Sequence, residues 1–93
     1  MNKLDLVNKI FEEYVETAED KEKIVIDLNG FDYCEECKNE DGGLNIEYTV
    51  ELNKALIEMF EKNGYKVYTA GTFYPENGQF KDVDVDTAVA IKQ

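Results

Sequence analysis

Histidine, serine, arginine and tryptophan are all absent from this 93-residue chain, and proline occurs once, at Pro75. Each absence closes a class of function. Without serine and histidine no Ser/His dyad or triad can be assembled, and the missing histidine also removes the commonest general base and the usual partner of a catalytic cysteine. Without arginine there is no bidentate clamp for phosphate or carboxylate. Paired carboxylates, tyrosine and lysine are the catalytic materials that remain, and no motif arranges them. The expectation is therefore a protein that is not an enzyme. Long apolar runs are missing too. The first twenty residues interleave charges with their apolar positions and lack the continuous core of a signal peptide or a membrane span, so a cytoplasmic location without membrane association is expected.

Charge is what the chain has in excess. Ten lysines stand against 21 aspartates and glutamates, a formal net charge of −11. Solubility of a small domain calls for only about 2 to 8 units of either sign. The distribution is uneven: residues 12 to 41 hold 12 of the acids and three lysines, so about −9 of the total comes from one third of the chain. Such a field repels nucleic acid and anionic lipid and favours basic surfaces, including those of proteins that themselves bind nucleic acid. The bland alternative, that intracellular proteins are often simply acidic, has equal weight at this level.

The apolar residues fall into periodic segments that suit one core and one domain over residues 1–93. Leu4, Val7, Ile10, Phe11, Tyr14 or Val15, and Ala18 recur at helical spacing, which predicts an amphipathic helix over 3–18, with Asn2 as N-cap. Its opposite face carries Glu12, Glu13, Glu16 and Glu19, followed by Asp20. Acids there oppose the macrodipole, and like charges four residues apart repel, so helix stability does not explain them. Ile24, Ile26 and Leu28 alternate as a strand ended by Asn29-Gly30, and Leu44, Ile46 and Tyr48 alternate as a short second strand. A second helix is expected from Thr49 to Asn63, with Gly64 as a left-handed cap and Tyr65 packing back on Phe60. Strands over 65–74 and 80–91 joined by the Pro75–Gly78 turn complete the order αββαββ. The expected fold is α+β: a two-layer sandwich with an antiparallel-rich four-stranded sheet and two helices on one face.

Two stretches outside this periodicity invite chemistry. In the run DVDVD, a strand would place Asp82, Asp84 and Asp86 on one face about 6.7 Å apart, with Val83, Val85, Thr87, Val89 and Ile91 on the other. That spacing is comparable with successive phosphates of a nucleic-acid strand. A calcium loop fits poorly, because Thr87 stands where the turn needs glycine and Gln93 where a bidentate glutamate is needed. A solvated outer strand face that resists aggregation is the structural alternative. Cys34-Glu35-Glu36-Cys37 has the Cys-x-x-Cys spacing that lets two thiolates on a tight turn grip one zinc, but it supplies half of a four-ligand site. Completing it would require a homodimer sharing zinc through four cysteines, or a carboxylate such as Asp32 or Glu40. The surrounding acids raise rather than lower a thiol pKa, which argues against redox catalysis.

These features give a leading expectation and an alternative. The first is an acidic, non-enzymatic binding protein that docks on a basic protein surface, in its sharper form a nucleic-acid-mimicking inhibitor of a nucleic-acid-binding protein or nuclease of phage or mobile-element type. It binds no nucleic acid directly and needs no cofactor. Its contact residues would be Glu12, Glu13, Glu16, Glu19, Asp20, Asp82, Asp84 and Asp86, anchored by Tyr68 and Tyr74. The alternative is a zinc-bridged or redox-responsive homodimer organised by Cys34 and Cys37.

Overall fold

A computed structural model describes residues 3–28, 38–43, 45–69 and 87–93. Helix α1 spans Lys3–Thr17, strand β1 Lys23–Asp27, helix α2 Ile46–Lys62, strand β2 Tyr65–Thr69 and strand β3 Thr87–Lys92. The α+β class and the antiparallel sheet agree with the sequence pattern. The four-stranded αββαββ arrangement does not: among the described residues the sheet has three strands, in the order β1-β3-β2.

The correction falls on Leu44–Tyr48, expected as a strand. Asn45 instead caps α2. Its side-chain Oδ1 accepts the Tyr48 N–H at 3.1 Å, and its carbonyl accepts the Thr49 N–H at 3.0 Å. Capping satisfies donors that a helix start otherwise leaves orphaned. The period-two alternation of five residues was also compatible with the first turn of a longer 3.6-residue pattern. Thr49, Leu52, Asn53, Leu56, Ile57 and Phe60 are all buried and mark the inward stripe of that helix.

β3 lies in the centre, antiparallel to both neighbours. Its register sets Val25 and Tyr68 opposite Val89, and Ile24 and Val67 opposite Ala90. β1 and β2 therefore run parallel to each other with β3 between them, and α2 connects them as a split crossover. The chemistry of the two sheet faces follows from alternation. Ile24, Ile26, Val67, Ala88 and Ala90 share one cluster with Val7 and Ile10 of α1 and Leu52, Leu56, Ile57 and Phe60 of α2, so both helices cover that face. Thr87, Val89 and Ile91 do share a face, as expected, but the helices take the alanine face. The small side chains of the central strand thus lie beneath the bulk supplied by α2.

Phe60 organises the helix layer. It makes edge contacts with Phe11 at 4.8 Å and Tyr65 at 5.3 Å between ring centroids. The Phe60–Tyr65 contact anticipated from the helix end is present, and Gly64 has φ +90°, the left-handed geometry that glycine adopts without penalty. Phe11 beside Phe60, together with the 3.2 Å ion pair of Lys3 with Glu51, sets α1 and α2 running in the same direction.

Candidate functional site: an acidic helix end and the groove beside it

α1 ends without a basic residue in its last turn. Its C-terminal half exposes Glu12, Glu13 and Glu16, and Glu19 and Asp20 continue the exposed acids into the connection to β1. Among the described residues the carboxylates of Glu12, Glu13, Glu16 and Glu19 hold no ion pair. Asp20 uses Oδ1 to accept the Glu22 N–H at 2.9 Å, which shapes the turn. The helix end is relieved partly from beyond it, where the Lys21 ammonium donates to the Val15 carbonyl, and partly by its last residue, the Thr17 hydroxyl donating to the Glu13 carbonyl at 2.7 Å. One cation thus offsets the dipole while the glutamates face outward.

The inward side of the same helix end reaches β1. The Tyr14 hydroxyl accepts the Asp27 N–H at 2.9 Å, joining a helix side chain to the strand edge. Between these elements lies an open groove of about 450 Å³, lined among the described residues by Tyr14, Thr17 and Ala18 of the helix end, Glu19 and Asp20 of the connection, and Lys23, Ile24 and Val25 of the strand. Its lining combines the apolar Ala18, Ile24 and Val25 with the acids Glu19 and Asp20. A smaller hollow of about 190 Å³ lies at the start of α2 against Asn45, Glu47, Tyr48 and Glu51.

Glu12, Glu13, Glu16, Glu19 and Asp20 are therefore brought together on one end of the helix layer. Tyr68 is not with them. It alternates with the buried Val67 and Thr69 and belongs to the face away from the helices, where Lys66 lies over its ring at 5.2 Å. Its cross-strand partner on that face is Val89. Asp82, Asp84, Asp86, Tyr74, Cys34 and Cys37 lie outside the described residues. Among the described residues no cluster of three or more metal-ligating side chains occurs, and no helix is long and apolar enough to cross a membrane.

Two residues that matter to this geometry were hidden in the periodic pattern. Tyr14 read as one more apolar helix position, and its hydroxyl is what ties α1 to β1. Asn53 sits inside the apolar stripe of α2 and is fully buried; its Nδ2 donates to the Leu28 carbonyl at 2.8 Å while Oδ1 has no partner among the described residues. A polar residue flanked by Leu52 and Leu56 on a buried face was the available signal, because burial of an amide is costly unless it bonds.

No family model, no curated protein and no solved structure matches this chain.

Proposed function

We propose that the protein is a non-enzymatic binding module whose acidic α1 end docks on a basic protein surface, with proteins that bind nucleic acid as the favoured targets. One observation carries this reading: three exposed glutamates on the C-terminal half of α1, and Glu19 just past its end, hold no counter-cation within the described residues. The arrangement opposes the macrodipole and includes the like-charged i, i+4 pair Glu12 and Glu16, so folding alone does not account for it. A partner's lysines and arginines would remove that repulsion on binding. The net charge of −11 extends the attraction beyond contact and accelerates encounter with a positive surface. Basic grooves that hold phosphates are surfaces of this kind, which is the sense in which the acidic face imitates a nucleic acid.

Affinity capture of the intact tagged protein, eluted first by salt and then by duplex DNA, tests the reading. A nucleic-acid-binding protein released by both is the expected result. The variant Glu12→Lys, Glu13→Lys, Glu16→Lys should lose that partner at least tenfold in affinity while its melting temperature stays within a few degrees. Full binding by this variant would remove the α1 face as the docking surface. The reversal of Asp82, Asp84 and Asp86 to lysine, made separately, asks the same of the aspartate row.

A further inference from the structure

We propose that the basic partner is held by strand addition, an extended segment of alternating basic and apolar residues pairing its backbone with the edge of β1 in the groove beside α1. The inference rests on the reading of a basic partner and specifies the form in which that partner binds.

The ladder phase identifies the open backbone. The Lys92 N–H donates to the Glu22 carbonyl at 2.7 Å, and Glu22 stands one position before Lys23, which pairs with Ile91. In an antiparallel pair the bonding positions alternate. Glu22, Ile24 and Ile26 therefore turn their N–H and C=O groups toward β3, and Lys23, Val25 and Asp27 turn theirs to the outer edge. Two of those three positions are engaged. The Lys23 N–H reaches the Asp20 carbonyl at 3.4 Å, and the Asp27 N–H is taken by Tyr14. Val25, between them, has no such cap among the described residues, and its side chain is 58% exposed on the sheet face away from the helices.

An edge left unpaired among the described residues, between two capped positions, is a template for a short added strand. The groove lies along that edge, so a strand paired at Val25 would alternate its side chains between two environments. The residue opposite Val25 shares its face and meets an exposed valine, which favours an apolar partner. The flanking residues point to the helix side, over Tyr14 and Ala18 toward Glu19 and Asp20. A lysine or arginine suits that position because its aliphatic stem packs on apolar surface while its charge reaches the acids. The wider field has the same sign: residues 12 to 27 hold seven acids against Lys21 and Lys23.

A second copy of the chain is the competing occupant. Lys23 and Asp27 flank Val25 symmetrically, so an antiparallel copy would set lysine opposite aspartate. Bringing together two chains of −11 each opposes that arrangement.

The test uses the intact protein and a synthetic seven-residue peptide, Lys-Val-Lys-Val-Lys-Val-Lys with blocked termini. A control of equal charge carries N-methylated valines, which cannot donate to the β1 edge. Strand addition predicts that the first peptide slows hydrogen exchange of the Val25 amide at least tenfold and binds at least tenfold more tightly than the control. The variant Glu19→Lys, Asp20→Lys should weaken the first peptide at least tenfold. Equal binding of the two peptides with an unprotected Val25 amide overturns strand addition and leaves the electrostatic reading standing. Failure of the peptide to bind while a basic partner is captured through Glu12, Glu13 and Glu16 also overturns it. Val25 protection that rises with protein concentration in the absence of peptide, with a dimer in sedimentation, assigns the edge to a second copy and overturns the proposal.

Discussion

The two helices lie side by side on the same sheet face, yet their sequences answer to different demands. α2 is built for stability. Asn45 caps its start, Lys62 stands in its last turn, and the Lys92 ammonium donates to the Asn63 carbonyl at 2.8 Å just past its end. Cations at a helix C-terminus offset the macrodipole. Its inward stripe is buried from Thr49 to Phe60. α1 fully buries Val7 and nearly buries Ile10, has no cation of its own in its last turn, and displays glutamates that hold no ion pair among the described residues at the end where they are least favourable. Neighbouring helices of one small domain thus differ in how far their surfaces were shaped by folding. The helix that departs from what stability favours is the one beside β1, an edge strand among the described residues.

The contrast breaks most sharply at Phe60. It is fully buried and touches rings from α1 and β2, so Phe60→Ala should lower the unfolding free energy by about 3–5 kcal/mol in urea titration. A loss below about 1 kcal/mol would mean that α2 does not organise the core. Asn53→Ala comes next. It leaves the Leu28 carbonyl without its donor and removes an amide oxygen that has no partner, with a net expected loss of about 1–3 kcal/mol by the same measurement. Asn45→Ala removes the α2 cap and should cost about 1 kcal/mol, visible as fraying of the first turn in amide exchange.

The smallest effect has the opposite sign. Glu16→Lys places a cation in the last turns of α1 and turns the repulsive pair with Glu12 into an attractive one in the favourable orientation, so stability should rise by about 0.5–1 kcal/mol. A gain in stability together with weaker partner binding would set α1 apart from α2 as a surface shaped for recognition. A loss of stability would place Glu16 in the folding of the helix instead.

Most of the elements were legible in the order of residues. The 3.6-residue recurrence of Val7, Ile10 and Tyr14 gave α1 almost to the residue, and Ile24 and Ile26 alternated as a strand should. The Asn63-Gly64 stop and the Tyr65 contact with Phe60 were also readable, because glycine after a helix has a specific conformational reason to be there. Leu44–Tyr48 was misread because five residues are too few to separate a period of 2 from a period of 3.6, and the capping bond of Asn45 decided between them. The acidic helix face was visible as soon as a helix was drawn. Tyr68 could not be placed relative to it, since strand alternation says that a side chain points up or down but not which face the helices will choose.

The sequence by itself determined composition, charge, the helical and extended segments, and the exclusion of histidine-, serine- and arginine-based chemistry, all of which are properties of residues and their near neighbours. Only the tertiary structure decided that β3 enters between β1 and β2, that its alanines rather than Val89 and Ile91 meet the helices, and that Tyr14 closes one position of an edge that, among the described residues, is uncapped at Val25. Those outcomes depend on contacts between residues far apart in the chain. Their selection comes from burying one common core and satisfying backbone groups together, and no local pattern encodes that joint condition.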